Sequence, residues 1–230
     1  MEVLLAGKRK VQLVRYAKDS ERRLKEILDL AEKNGIRTQP TGNRDLANIV
    51  KGAVHQGVVA EVSPSSSHEL GTFVEMVKAS GDKPVIAVLD SISDPHNFGA
   101  ILRSAEVLGV AGIIYPKDRS ADINSTVVKT SAGATEYLEF CKVTNIARTL
   151  DELKKDGFWV IAADADGEHD LKSFDAAYPL AIVLGSEGEG IRPLVKKGCD
   201  VVVRIPQKGK VSSLNVSSAA ALLFYELVGR

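Results

Sequence analysis

The chain has 230 residues, of which 44% are hydrophobic and 26% charged, a composition typical of a folded protein with room for one full domain and a smaller one. No stretch approaches the ~20 consecutive apolar residues of a membrane helix, and the first ten residues lack the apolar core of a signal peptide. We therefore expect a cytoplasmic protein that is neither disordered nor embedded in a membrane.

Cysteines and histidines are too few and too scattered to build a metal site. Cys141 and Cys199 each adjoin an apolar run, and the four histidines, at positions 55, 68, 96 and 169, show no ligand spacing. Two distant cysteines also make no disulfide framework, so buried free thiols are the better interpretation. No metal is expected.

The net charge of zero conceals a difference between the two ends of the chain. Residues 1–62 contain 12 Lys or Arg and 8 Asp or Glu, whereas residues 63–230 contain 18 and 22. The basic excess would suit a phosphate backbone, although a solvated surface explains it equally well.

The first 62 residues alternate strand and helix patterns. Val11–Ala17 is typical of a strand, residues 20–34 have apolar side chains at helical spacing and end at Gly35, a shorter helix carries Leu46, and residues 57–62 form another strand. This order predicts a small α/β domain, residues 1–62, with a partly parallel sheet.

A polar segment, Ser63–Ser67, has the composition of a linker. The helix that follows places Leu70, Phe73, Val74 and Val77 on one face, so residues 63–83 are predicted to be a linker and a helix that bridges two domains.

From residue 84 the strands become longer and more apolar. Runs of this kind are buried on both faces, and helical patterns near 98–109, 145–156, 190–197 and 214–228 separate most of them. Residues 84–230 are therefore predicted to form a doubly wound parallel sheet. The predicted strands are 84–90, 112–115, 137–143, 158–163, 180–185 and 200–205.

Three loops after predicted strands carry polar residues, and ligands of doubly wound sheets bind at such loops. The first is D-P-H-N-F-G-A-I-L-R, residues 94–103, in which Arg103 lies about 200° around the helix from the buried Ile101. Arg103 is thus either a solvated arginine or one directed at a phosphate.

The second loop, L-G-S-E-G-E-G at 184–190, has three alternating glycines that allow backbone amides to approach a ligand, although its spacing matches no P-loop or dinucleotide fingerprint. The third runs from Ile205 to Val216, before an apolar helix. Ser212 or Ser213 could cap that helix, whereas Asn215 is a poor interior residue unless its amide has a partner.

In order and spacing, D-P-H-N-F-G-A-I-L-R, L-G-S-E-G-E-G and S-S-L-N-V-S-S-A-A resemble the three motifs of the SpoU/TrmH family of RNA ribose methyltransferases. H-Q-G-V-V-A, residues 55–60, and the domain before it resemble the subgroup that methylates a guanosine ribose of large-subunit ribosomal RNA. That domain is similar to a small ribosomal-protein-like RNA-binding domain, which implies a role in substrate recognition.

The resemblance implies an α/β fold whose C-terminal segment forms a deep trefoil knot, S-adenosylmethionine as cofactor, and a homodimer that holds RNA at the subunit interface. Neither a membrane nor a metal is implied. The implied cofactor pocket uses backbone around Leu184, Gly185, Gly188, Ile205 and Leu214; the implied catalytic set is Asn97, Arg103, Glu187, Ser213 and Asn215.

In this family, the arginine at the position of Arg103 is commonly proposed to receive the proton of the 2′-hydroxyl. A guanidinium, however, rarely deprotonates in proteins. We expect Arg103 mainly to hold a phosphate, while Asn97, Glu187 and Asn215 maintain the geometry. Alternatives are transfer RNA as substrate and a non-catalytic RNA-binding assembly factor. A nicotinamide dehydrogenase is excluded because no G-x-G-x-x-G turn follows the first strand of either domain.

Overall fold

The computed structural model describes residues 1–52, 54–211 and 213–228, and the chain divides into two compact units, Met1–Ser65 and Ser66–Arg230. Within the described ranges, no helix combines the length and apolarity that crossing a membrane would take.

Both cysteines are free, as expected, and burial raises the pKa of Cys141 to about 11 and of Cys199 to about 12. Both thiols are therefore protonated near neutral pH and unreactive.

The first unit is a three-stranded sheet with helices. Strand β1, Val11–Ala17, lies in the centre, parallel to β2, Thr38–Thr41, and antiparallel to β3, Val58–Val62. The predicted partly parallel sheet is therefore confirmed. The helix predicted over 20–34 is shorter and begins at Lys25, because residues 18–20 form a 3₁₀ turn and residues 21–24 further turns. The elements are α1 Glu2–Ala6, β1 Val11–Ala17, α2 Lys25–Lys33, β2 Thr38–Thr41, α3 Asn43–Ile49 and β3 Val58–Val62.

The second unit contains a seven-stranded sheet in which every pair of neighbours is parallel, in the order β6-β5-β4-β9-β7-β10-β8. All six predicted strands occur; the sequence patterns missed helix α6 and the two-residue strand β8. The elements are α4 Leu70–Lys78, β4 Val85–Asp90, α5 Pro95–Val107, β5 Gly112–Pro116, α6 Ser125–Thr130, β6 Glu139–Val143, α7 Ile146–Lys155, β7 Trp159–Ala163, β8 His169–Asp170, β9 Leu180–Gly185, α8 Pro193–Gly198, β10 Val201–Arg204 and α9 Val216–Leu227.

Helices cover both faces of this sheet. Strand side chains alternate between the faces, so Val85 and Leu89 of β4 pack with α5 and α9, whereas Ile86 and Val88 pack with α4 and α7. The central strands are buried along their whole length. Polar groups are consequently confined to the strand ends, where the loops begin.

The helix predicted to bridge two domains, α4, places its apolar face in the core of the second unit. Phe73 is completely buried, and a Cβ added at Gly112 of β5 would lie 2.6 Å from the Phe73 ring. Phe73, Val74 and Val77 belong to the same core layer as β4 and α7. The helix therefore stabilises the second unit by covering its sheet.

Replacing Phe73 with alanine should lower the free energy of unfolding of the second unit by about 3–5 kcal/mol, because a fully buried aromatic side chain leaves a cavity. Urea denaturation of the full chain measures this change. Met76→Ala is the matched control, because the Met76 side chain on the same helix is 37% exposed. It should lower the free energy of unfolding by under about 1 kcal/mol. Equal losses for the two variants would contradict the assignment of Phe73 to the core.

Candidate functional site

A cavity of about 660 Å³ opens at the carboxyl ends of β7, β9 and β10. This is the edge of a doubly wound sheet where ligands bind. Backbone and apolar side chains supply much of its wall, with a few polar side chains between them. The lining residues are Ala163, Asp164, Ala165, Leu184, Gly185, Ser186, Glu187, Gly188, Gly190, Val203, Ile205, Gln207, Ser213, Leu214, Asn215, Val216 and Ala219.

The glycine-rich loop after β9 folds back tightly on itself. Ser186 and Gly190 exchange both backbone hydrogen bonds, at 3.1 and 3.0 Å. A Cβ on Gly185 would lie 2.2 Å from the Gly190 carbonyl carbon and 2.3 Å from the Ile191 nitrogen, so only glycine fits there. The loop thus exposes backbone to the cavity at the point where β9 ends.

A buried carboxylate anchors the far end of this loop. Asp90, at the end of β4, has no exposed surface and accepts hydrogen bonds from the Arg192 backbone nitrogen at 2.9 Å and from its Nε at 2.8 Å; Arg192 Nη2 lies 2.6 Å away. Neither Asp90 nor Arg192 lies in the three sequence motifs. The available signal was an acidic residue closing an otherwise apolar strand, since a buried charge requires a partner.

Asn215 connects the three motif loops. Its Oδ1 accepts from the Ser217 backbone nitrogen at 2.9 Å and so caps α9. Its Nδ2 donates to Asn97 Oδ1 at 3.0 Å and to a carboxylate oxygen of Glu187. Because the cap occupies the amide oxygen, the amide nitrogen is left to bond Asn97 and Glu187.

Asn215 also corrects the cap predicted from sequence. Ser213 does not cap α9; it is exposed and lines the cavity. Ser212 lies outside the described residues. Asn215, which falls inside the helix expected near 214–228, is instead the N-cap before Val216, and this removes the conflict with its low helix propensity.

Arg103 stands apart from the cavity. It is exposed, lines no part of the cavity wall, and has neither a hydrogen bond nor an ion pair with any residue that the structure describes. On α5 it lies one turn before Val107, which is 71% exposed, whereas Ile101 is buried as predicted and Ala105 is buried too. The guanidinium is therefore available to a group outside this chain.

Asp164, after β7, is a cavity residue that sequence analysis missed. Although its partial burial raises the pKa, hydrogen bonds from Lys196 Nζ at 2.9 Å and from backbone nitrogens lower the pKa of Asp164 below its ordinary value. A carboxylate thus forms part of the cavity wall at neutral pH. Its position in a short polar stretch after an apolar strand was the available signal.

The structure brings most of the predicted site residues together. All five implied cofactor positions, Leu184, Gly185, Gly188, Ile205 and Leu214, line the cavity. Glu187, Ser213 and Asn215 line it too, and Asn97 joins through its hydrogen bond to Asn215. Among the described side chains, no group of three or more His, Cys, Asp or Glu is placed to hold a metal ion.

Comparison with known proteins finds two matching family models: the SpoU rRNA methylase family over residues 84–225, and an RNA 2′-O ribose methyltransferase substrate-binding family over residues 1–68. YacO of Bacillus subtilis, whose name places it in the TrmH family of tRNA/rRNA methyltransferases, is 43% identical over 202 residues, which cover 88% of this chain and 81% of YacO.

The 23S rRNA (guanosine-2′-O-)-methyltransferase RlmB of Escherichia coli is 39% identical over 208 residues, 90% of this chain and 85% of RlmB. Among solved structures, the SpoU methyltransferase AviRb of Streptomyces viridochromogenes, in complex with AdoMet, superposes with a TM-score of 0.80 at 24% identity and covers 98% of this chain and 85% of its own. The chain belongs to the SpoU rRNA methylase family.

Proposed function

We propose that this chain transfers a methyl group from S-adenosylmethionine to a ribose 2′-hydroxyl of RNA in the cytoplasm, and that the target is a guanosine of large-subunit ribosomal RNA. The observation that carries the proposal is the Asn97–Asn215–Glu187 network at the wall of the glycine-lined cavity. It joins all three family motifs at one place.

The cavity suits the cofactor in volume and in chemistry. Its size falls within the ~300–1,000 Å³ common for small-molecule sites. Val203, Ile205 and Leu214 offer apolar surface to a base, and Asp164 and Glu187 place negative charge in the wall of a site for a cationic sulfonium. When bound, S-adenosylmethionine supplies an electrophilic methyl carbon.

The chain's own residues then align the reactants, since methyl transfer is an in-line displacement that depends on geometry. Asn215 holds the Glu187 carboxylate and the Asn97 amide in fixed positions. The Asp90–Arg192 pair fixes the loop that carries Glu187. Arg103 retains its proton and holds a phosphate of the target nucleotide, for which its planar fork is suited.

A homodimer and a trefoil knot complete the proposal. Exposed apolar side chains occur on two helices that pack together: Val107 on α5, and Leu222 and Tyr225, the latter 71% exposed, on α9. Arg103 shares the Val107 face, and we propose that in a dimer formed there this arginine serves the cavity of the other subunit. The knot is supported by the family and by a chain that returns after β10 to α9 beside α5.

Two observations favour ribosomal over transfer RNA. The RlmB relative, named for a 23S rRNA guanosine, aligns with 90% of the chain, and the substrate-binding family model covers residues 1–68. Transfer RNA remains the second candidate because the name of YacO includes both substrates. An RNA-binding assembly factor without activity is the third, and the joined polar network argues against it.

Labelled methyl should pass from S-adenosylmethionine to unmodified large-subunit ribosomal RNA and resist alkali as a dinucleotide, because a 2′-O-methyl group blocks cleavage. Arg103→Ala should reduce turnover by about 100-fold or more, since the substrate loses its alignment, while cofactor affinity measured by calorimetry stays unchanged.

Label in transfer RNA alone would show that transfer RNA, and not ribosomal RNA, is the substrate. Failure of the wild type to bind S-adenosylmethionine would refute the proposed reaction. Near-full turnover of Arg103→Lys would exclude a bidentate phosphate contact, because lysine lacks the planar fork.

Asn215→Asp separates the cap from the network. Aspartate still accepts from the Ser217 nitrogen, so stability should change by under about 1 kcal/mol, but it cannot donate and adds a charge beside Glu187. Turnover at saturating cofactor should fall by about 100-fold. Asn145→Asp, at the matched cap of α7, is the control and should keep full turnover. Full activity of Asn215→Asp would show that the network is dispensable.

Tyr225→Glu should convert a dimer of about twice the 24.7 kDa chain mass into a monomer in light scattering, because a charge then replaces exposed apolar surface at the proposed interface. Leu194→Glu, at a 76% exposed position on α8, should leave the dimer intact. Mixed Arg103→Ala and Asn215→Asp chains should regain activity that neither has alone, since one heterodimer site is then complete. If the mixed chains recovered no activity, Arg103 would act at the cavity of its own chain.

A further inference from the structure

A tight turn in the first unit carries a residue that does not suit its conformation. Val58 donates a backbone hydrogen bond to the His55 carbonyl at 3.0 Å, and the two residues between them, Gln56 and Gly57, have φ of 51° and 85°. Positive φ at both central positions defines a type I′ turn, which favours Asn, Asp or Gly first and Gly second. Gly57 meets this requirement, whereas Gln56 is strained by its Cβ.

Neighbouring groups hold the strained turn in place. Arg23 Nη2 donates to the Gln56 carbonyl at 2.6 Å, and the Ala17 nitrogen donates to the Gly57 carbonyl at 2.8 Å. The Gly57 nitrogen in turn donates to His55 Nδ1 at 3.0 Å. The conformation is therefore imposed by contacts from β1 and from the turn before α2.

The turn leaves polar groups available to solvent. Because His55 Nδ1 accepts a hydrogen bond, its Nε2 carries the proton of the neutral ring and is a donor. Gln56 is exposed, and within the described part of the chain its carboxamide and His55 Nε2 bond to no other residue. The carboxamide is a paired donor and acceptor on a backbone that cannot easily move.

The surroundings of the turn favour a polyanionic partner. The turn lies where β1 and β2 end and β3 begins. The chain segments at this end, which are residues 18–23, residues 42–45 at the start of α3, and residues 51–52 and 54–57, carry five Lys or Arg against three Asp or Glu. Arg23 itself is exposed and uses one of its donors on the turn, which leaves others for a phosphate.

We infer that the turn His55–Val58 is the element of the first unit that contacts unpaired nucleotides of the RNA substrate, an inference that rests on the proposed function. The Gln56 amide presents the donor–acceptor pair that a base edge requires, and Arg23 contacts the adjoining phosphate. A glutamine at a position where asparagine or glycine would relax the backbone is explained by a contact that needs its longer side chain.

Gln56→Gly in the full chain tests the inference, because it relaxes the turn and removes the amide together. The variant should unfold at a temperature no lower than the wild type, bind an unmodified large-subunit ribosomal RNA fragment about tenfold more weakly, and keep its affinity for S-adenosylmethionine. Arg23→Ala should also weaken RNA binding and reduce the slope of affinity against salt by about one. Lys33→Ala, an exposed lysine at the end of α2, is the control for a general loss of charge.

Wild-type RNA affinity in Gln56→Gly would overturn the inference. So would weakening caused only by Lys8→Ala and Lys10→Ala, which would move the RNA contact to the opposite end of the unit. If Gln56→Gly binds and methylates RNA as well as the wild type does, the proposed RNA contact at this turn is refuted, while the proposed function stands. A wild type that neither binds nor methylates RNA removes the proposed function as well.

Discussion

The hydrogen bonds of one amide, that of Asn215, connect the loops on which the site depends. Its oxygen caps α9, and its nitrogen bonds Asn97 at the start of α5 and Glu187 after β9. A carboxamide suits this position because it combines an acceptor and a donor in one rigid plane. The cap orients the group, so the geometry of this network is a consequence of where the last helix begins.

The close-packed sheet edge beneath the network gives it a rigid base. Gly185 lets the loop after β9 fold onto its own backbone, and Asp90 ties the end of that loop to β4 through Arg192. Burying the Asp90 carboxylate without a partner would cost several kcal/mol, on the order expected for an uncompensated buried charge, so breaking the Asp90–Arg192 pair is strongly unfavourable. Rigidity of this kind suits a reaction in which alignment supplies much of the rate.

The two units use backbone and charge differently. In the second, the charged side chains of the cavity wall have partners, since Asp164 pairs with Lys196 and Glu187 bonds to Asn215. The exposed Arg103, away from the cavity, bonds to no described residue. In the first, strain at Gln56 is held by Arg23 beside an exposed amide. The proposed RNA substrate would explain the exposure of both Arg103 and Gln56, because each presents polar groups that bond to no described residue of the protein.

The sequence by itself determined the parallel second sheet apart from the short strand β8 and, through the resemblance of its three motifs, many of the cavity-lining positions, although not Asp164. Apolar runs buried on both faces specify parallel strands, and glycine spacing marks where backbone must approach closely. It also predicted Asn97, Glu187 and Asn215 as a polar set, through the three motifs.

Only the tertiary structure decided which atoms meet. Asn97 and Asn215 are 118 positions apart, and Asp90 and Arg192 are 102 apart, so no local pattern links them. The placement of α4 in the second core and the α9 cap at Asn215 likewise follow from packing. Local propensity describes a residue and its neighbours in sequence, whereas hydrogen bonds form between whatever groups the folded sheet brings together.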